Sequence, residues 1–152
     1  MSINPSQLRE LIIRPVLQSI GLHSPAAEDL LCMTAAWESN CGEYVAQVGG
    51  PALGIFQMEP ATLQDLGDNW LAFRMNYRDT LERMKPISMS NADALVMCNA
   101  YATAACRLQY YRQPEPLPGN IDDLAQYAKT HWNGPGKATP EDYAGAYRKY
   151  FS

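Results

Sequence analysis

Residues 30–38 read L-L-C-M-T-A-A-W-E, an almost unbroken apolar run that ends on a carboxylate. A helix that is apolar nearly all round is typical of the middle of a domain. Ser24 and Pro25 supply a cap and a first helical residue that begin this helix. The sequence therefore predicts a buried central helix with Glu38 at its C-terminal end.

Caps and prolines predict further helices along the chain. We expect helices over residues 7–20, bent at Pro15, from Pro60 toward Leu66, over residues 70–84 with Leu71, Met75 and Leu81 inward, over residues 90–111, after Asn120, and after Thr139 to the C-terminus. Strand signals are weak, and two glycine-bearing turns around residues 44–48 allow a small β-hairpin at most. The predicted fold is mainly α, with about seven helices around the central one.

The length and composition indicate one globular domain over residues 1–152. A chain of 152 residues is long enough to bury a core without disulfide or metal support. Hydrophobic residues make up 47% and charged residues 18%, as in ordinary folded proteins. No repeat and no linker divides the chain.

The charge distribution and the apolar runs argue against a nucleic-acid partner and against a membrane span. The net charge is −4, and the lysines and arginines are scattered, which argues against a nucleic-acid partner. The sequence contains no signal-peptide pattern and no apolar run long enough to cross a membrane. We therefore expect a protein made in the cytoplasm that reaches any external substrate by another route.

No metal or cofactor site is expected from the cysteines and histidines. The cysteine spacings match no zinc motif, and His23 and His131 are isolated. We interpret the four cysteines as small core residues. They are Cys32, Cys41, Cys98 and Cys106.

Glu38 stands where two physical effects favour its protonated form. Burial disfavours the charged carboxylate, and the C-terminal end of a helix carries a partial negative charge. A carboxyl group that remains protonated near neutral pH is suited to act as a general acid. The alternative is an ordinary glutamate that frays into solvent at a helix end, because glutamate is rarely buried without a partner.

The segment after Glu38 favours the functional interpretation. Glycines at 42, 49, 50 and 54 allow the backbone to approach a ligand closely, and Gln57 offers both a hydrogen-bond donor and an acceptor. Such a segment beside a single acid indicates a cleft that recognises a polymer.

Four motifs in order resemble the soluble lytic transglycosylase domain of the lysozyme-like superfamily. They are E-S at residues 38–39, G-P-A-L-G-I-F-Q-M-E-P-A-T at 50–62, the segment that begins at Asn99, and W-N-G-P-G at 132–136. These motifs lie in a core of about residues 25–136. The phrases Q-M-E-P-A-T and H-W-N-G-P-G are also similar to members encoded by tailed bacteriophages.

The resemblance implies an α+β lysozyme-like fold and cleavage of the β-1,4 bond between N-acetylmuramic acid and N-acetylglucosamine in peptidoglycan. Glu38 would protonate the glycosidic oxygen and then take a proton from the C6 hydroxyl, which leaves a 1,6-anhydro end. The substrate-binding residues implied are Ser39, Gln57, Met58, Asn99, Tyr127, Trp132 and Asn133.

One of these residues departs from the family, and two others have alternative interpretations. Trp132 stands where the family has a tyrosine whose hydroxyl helps to hold the acid, and Tyr127 is a candidate source of that hydroxyl. Met58 is equally compatible with core packing, and Asn99 with a structural hydrogen bond.

Two other functions remain open at this stage. Glu59 is a possible second carboxylate that would permit true hydrolysis, as in a muramidase, although a glutamate beside Pro60 also fits a helix start. A non-catalytic glycan-binding virion component is the other alternative. The partners we expect are the peptidoglycan strand and a phage virion or tail assembly that delivers the protein to the bacterial cell wall.

Overall fold

The computed structural model describes residues 2–151, and in that range the chain is mainly α-helical, as predicted. Eight helices form in these residues, and no β-sheet does. They are α1 (Pro5–Gln7, Leu8–Ile13 and Arg14–Ser19 in succession), α2 (Pro25–Ser39), α3 (Pro60–Asn69), α4 (Met75–Glu82), α5 (Asn91–Met97), α6 (Asn99–Tyr111), α7 (Ile121–Ala128, continued by Lys129–Asn133) and α8 (Pro140–Phe151).

Helix α2 is the predicted buried central helix. The Ser24 hydroxyl accepts a hydrogen bond from the Ala27 amide at 3.0 Å and caps its first turn. The helix packs against α1, α6, α7 and α8, most extensively against α8. Asn40 adopts a left-handed conformation with φ 51° and ends the helix directly after Glu38 and Ser39.

Helix α1 is wider directly before Pro15, the residue at which a bend is predicted. Residues Leu8–Ile13 are π-helical, and the Arg14 amide donates to the carbonyl of Arg9. Proline has no amide hydrogen to give to the carbonyl four residues earlier, which is that of Leu11. The wider turn absorbs this loss and keeps the helix continuous.

The predicted long helix over residues 90–111 is wrong, because it is two helices. Cys98 has an extended conformation, with φ −120° and ψ 95°, and separates α5 from α6. Neither glycine nor proline marks this position in the sequence. The break lies near the point where Gly54 presses closely against the carbonyl of Leu95.

The predicted helix over residues 70–84 is also wrong in extent. Helix α3 continues to Asn69, a short 3₁₀ turn covers Leu71–Phe73, and α4 begins only at Met75. Leu71 and Leu81 are buried as expected, but Met75 is 49% exposed. The indole of Trp70 stacks on Tyr77 at 6.1 Å, which favours the turn at this corner.

The segment between α2 and α3 holds the small amount of β structure. Two isolated bridges join Ala46 to Leu53 and Leu53 to Met58, so Leu53 pairs on both sides. The Leu53 amide donates to the Met58 carbonyl at 2.9 Å, and the Gln47 amide donates to the Ala52 carbonyl at 2.8 Å. This compact loop forms one wall beside the end of α2.

The four cysteine thiols are free, and three of them are buried, as expected for core residues. Cys98, at the break between α5 and α6, is partly exposed. No helix within residues 2–151 has the length and apolar character needed to cross a membrane.

Candidate active site

A cleft of about 680 Å³ opens at the C-terminal end of α2. One wall comes from the loop between α2 and α3, and the opposite wall from the end of α7 and the turn that follows it. The residues that line it are Glu38, Gln47, Pro51, Ala52, Gln57, Glu59, His131, Trp132, Asn133, Gly134, Pro135 and Gly136. The cleft brings together two segments about 80 residues apart in sequence, 47–59 and 131–136.

Glu38 lies in this cleft with its carboxyl group held by a buried tyrosine. The hydroxyl of Tyr143 on α8 donates a hydrogen bond of 2.5 Å to Oε2 of Glu38. Tyr143 is fully buried, and its ring packs against Trp37 at 6.2 Å. The carboxyl group is therefore fixed in position on one side while its cleft side stays accessible to a ligand.

Burial controls the protonation of Glu38. Burial raises the pKa of Glu38 to about 7, and the hydrogen bond from Tyr143 opposes that rise without cancelling it. A pKa near 7 leaves a substantial fraction of the carboxyl protonated at neutral pH. The same group is then able to donate a proton and afterwards accept one.

A second buried glutamate on the same helix, Glu28, shows how strongly cationic hydrogen-bond partners change the pKa of a buried carboxyl group. Burial also raises the pKa of Glu28, but hydrogen bonds from Arg14, Arg9 and His23 outweigh it and lower the pKa to about 2. Glu28 is thus ionised at neutral pH and joins α1 to α2 through 2.7 Å contacts with both arginines. Glu38 makes no ion pair with any residue in 2–151, which is why its protonated form persists.

The residue that holds the acid differs from the one predicted. The hydroxyl of Tyr127 donates to the Glu115 carbonyl at 3.3 Å, and its ring lines a different cavity, so it does not supply the hydroxyl to Glu38. Tyr143 lies beyond the motif-bearing core of residues 25–136. A signal for it exists in the sequence, since Tyr143 and Tyr147 lie one turn apart on the apolar face of α8, where buried hydroxyls need partners.

Gln57, a predicted substrate-binding residue, and Glu59, the possible second carboxylate, both line the cleft. Gln57 has a φ of 53°, and its side-chain amide donates to the Gly54 carbonyl at 2.9 Å, which fixes the tight turn 54–57. Glu59 is exposed and is the residue just before α3. The cleft therefore contains a second carboxylate in addition to Glu38.

Trp132 and Asn133 form the opposite wall. The indole Nε1 of Trp132 donates to the Phe56 carbonyl at 3.2 Å, and its ring stacks on Tyr110 at 5.1 Å. Oδ1 of Asn133 accepts a hydrogen bond of 2.8 Å from Nζ of Lys129. The tryptophan thus ties the two walls together, a role different from holding the acid.

Four predicted substrate-binding residues do not line this cleft, and Tyr127, in the wall of the other cavity, is one of them. Ser39 is buried, and its hydroxyl donates to the Ile55 carbonyl at 2.6 Å and accepts from the Gly42 amide at 2.9 Å. Met58 is 3% exposed and belongs to the core, although it borders a smaller adjoining cavity. Asn99 is the first residue of α6. Ser39 instead secures the loop that shapes the cleft.

No family model, curated protein or solved structure matches this chain. In residues 2–151 no group of three or more histidine, cysteine, aspartate or glutamate side chains is arranged to hold a metal ion. A functional assignment therefore depends on the geometry of the cleft and on the ordered motifs.

Proposed function

We propose that this protein is a lytic transglycosylase that cleaves the bond between N-acetylmuramic acid and N-acetylglucosamine in peptidoglycan. The observation that carries the proposal is Glu38, a carboxyl with a pKa near 7, held by Tyr143 at the base of a 680 Å³ cleft. A cleft of this volume is large enough for a few sugar rings. The E-S, G-x-x-x-G-x-x-Q and W-N-G elements around it agree with this assignment.

In the proposed reaction Glu38 serves first as acid and then as base. Its proton passes to the glycosidic oxygen as the bond to C1 of the muramic residue breaks, and the muramic N-acetyl group stabilises the developing positive charge. The C6 hydroxyl then bonds to C1, and the carboxylate of Glu38 takes the hydroxyl proton. One carboxyl group is sufficient for this sequence, and no water is consumed.

Hydrolysis is the second candidate, and Glu59 is the observation that favours it. Glycosidases that use water need a second carboxylate in the cleft, placed so that a water molecule or a covalent bond to the sugar fits. Glu59 lines the same cleft as Glu38 and is open to solvent. In that case the product carries a reducing muramic end.

A digest of purified peptidoglycan distinguishes these reactions. Mass spectrometry of the released fragments is expected to find 1,6-anhydromuramic ends with the unaltered protein and no release with Glu38→Gln. Glu43→Gln, a change at another acid of the same loop that does not line the cleft, is the matched control and should remain active. Glu59→Gln should also remain active if Glu38 works alone.

Other results of the digest would support a different function. Reducing ends that disappear with Glu59→Gln indicate a muramidase. If neither the unaltered protein nor Glu38→Gln releases fragments, but both sediment with peptidoglycan, the protein is a glycan-binding component, as in a virion. The acidic net charge of −4 repels an anionic cell wall, so we infer delivery by an assembly such as a phage tail.

A further inference from the structure

Arg107 is buried without a carboxylate partner. It lies in the middle of α6 and is 7% exposed, and no Asp or Glu in residues 2–151 lies within ion-pair distance of it. Its Nε donates to the Leu22 carbonyl at 3.1 Å, and its guanidinium lies 5.4 Å from the ring centre of Tyr111. Within residues 2–151 the terminal NH₂ groups of the guanidinium donate to no other residue, and they stay open to solvent.

Two other arginines with little solvent exposure form ion pairs with carboxylates. Arg9 contacts Glu28 at 2.7 Å and Asp29 at 3.0 Å, and Arg112 contacts Asp65 at 2.7 Å. A buried cation without an anion is costly, so proteins normally pair it. Arg107 is therefore an exception that calls for an anion from outside the chain.

Arg107 lines a separate cavity of about 200 Å³, together with Tyr111, whose ring its guanidinium faces. This volume equals roughly seven water molecules at about 30 Å³ each, enough for one small residue or ring but too small for a disaccharide. Most of the wall is apolar or aromatic. It includes Tyr110, Tyr111, Pro116, Leu117 and Tyr127.

We propose that this cavity binds a carboxylate carried on a small apolar body. The guanidinium offers two parallel N–H donors that match the two oxygens of a carboxylate, and the rings and proline enclose the apolar part. Two sources share this chemistry: a free small carboxylic acid and the C-terminal residue of a short peptide.

Glu115 is the acidic residue in the wall of this cavity. Its carboxylate faces His131 at 3.7 Å and not Arg107. His131 in turn lines the Glu38 cleft, and its ring lies 4.4 Å from that of Tyr127. The proposed carboxylate site and the cleft are therefore neighbours on the two sides of the Tyr127 and His131 rings.

Calorimetric titration tests the proposal with two acids, each compared with its uncharged amide. The first pair is benzoate and benzamide. The second is N-acetyl-D-alanyl-D-alanine and its C-terminal amide, a choice that rests on the proposed peptidoglycan substrate. At least one acid is expected to bind about tenfold or more tightly than its amide. Binding of the dipeptide indicates a peptide terminus, and binding of benzoate alone indicates a free acid.

Three variants locate the binding. Arg107→Met should reduce the affinity for the acid about tenfold or more, and Leu117→Trp should do the same by filling the cavity while leaving Arg107 in place. Glu115→Gln should strengthen binding by about two- to fivefold, because it removes a like charge. Asp122→Asn removes the same charge outside the cavity and should have no effect.

The proposal is overturned if neither acid binds at millimolar concentration, or if the amides bind as well as the acids. It is also overturned if folded Arg107→Met and folded Leu117→Trp, checked by circular dichroism, both keep full affinity. All titrations are repeated with Glu38→Gln. Binding of the acids is thereby measured without the cleavage reaction, so a failure of the proposed function is distinguishable from a failure of this proposal.

Discussion

The hydroxyl of Tyr143 donates to the carboxyl of Glu38 across 105 residues of sequence. This contact joins the end of α2 to α8, the two helices that pack most extensively against each other. The acid is therefore positioned by the same interface that holds the core together, so a change at Tyr143 affects both the chemistry and the fold.

Tyr143→Phe is expected to move the alkaline limb of the activity profile to higher pH. The tyrosine hydrogen bond lowers the pKa of Glu38, so its loss lets burial raise that pKa further. We also expect kcat to fall about tenfold, because the carboxyl is no longer held in position. Peptidoglycan turnover measured between pH 5 and 9 tests both effects.

Tyr147→Phe is the matched control for this experiment. Tyr147 lies one turn further along α8, and its hydroxyl donates to Asp29 at 2.9 Å instead of to the acid. Its loss should lower stability without moving the pH profile. An unchanged profile in Tyr143→Phe would contradict the role given to this hydroxyl.

The stability of the protein should fall as the pH rises from about 4.5 to 7. The pKa of Glu38 is raised from 4.5 to about 7 in the folded state, so between these values the folded protein binds more protons than the unfolded chain. The contribution is fully present below pH 4.5 and is lost as the pH passes 7. The loss amounts to about 3 kcal/mol from this group.

Glu38→Gln removes that pH dependence and retains an oxygen that accepts from Tyr143. We expect Glu38→Gln to raise the Tm at pH 8 by several degrees and to leave it nearly unchanged at pH 4. Thermal unfolding of both proteins across this range provides the measurement. Equal Tm differences at both values would show that Glu38 is not a protonated buried acid.

Gly54→Ala should disrupt the cleft wall. Gly54 has a φ of 79°, and a Cβ there would lie 2.1 Å from the Leu95 carbonyl oxygen, so the backbone itself must move. We expect a loss of about 3 kcal/mol or more, together with loss of activity. Chemical denaturation reports the change in the free energy of unfolding.

Gly67→Ala is the opposite case in the same protein. Gly67 lies inside α3, and a Cβ there meets no atom within 4 Å among the described residues. Alanine is favoured over glycine in a helix by about 1 kcal/mol, so this variant should be more stable and fully active. A similar effect of both alanines would exclude the close contact at Leu95 as the cause.

Ser39→Ala tests whether Ser39 acts on substrate or on the loop. Its hydroxyl satisfies the Ile55 carbonyl and the Gly42 amide, so its removal should cost about 2 kcal/mol of stability. The exposed Ser88→Ala is expected to change stability by less than about 0.5 kcal/mol. If Ser39→Ala raises KM and leaves stability unchanged, Ser39 binds substrate instead of stabilising the loop.

Local sequence patterns were enough for the central helix and its acid. The apolar run 30–37 favours a buried helix, because it offers no polar face to solvent. A carboxyl group at the end of such a helix lies at the edge of the core. Gln57, Glu59, Trp132 and Asn133, which the motifs single out, line the same cleft as Glu38.

Features that depend on contacts between distant parts of the sequence are not predictable from local patterns. The break at Cys98 accompanies the approach of Gly54, more than 40 residues away, and no turn residue announces it. Tyr143 was missed because its partner is 105 residues distant. Sequence periodicity indicates which face of α8 is buried but not which atom each hydroxyl meets.

The position of Tyr143 on α8, far along the chain from Glu38, has a consequence for the order of synthesis. A ribosome makes the chain from the N-terminus, so Glu38 emerges long before the residue that holds it. Until α8 has been released and has docked on α2, the carboxyl has neither its hydroxyl partner nor the burial that keeps it protonated. A partly made chain therefore carries Glu38 without the partner and the burial that the proposed reaction needs, and the site is completed only when α8 docks on α2.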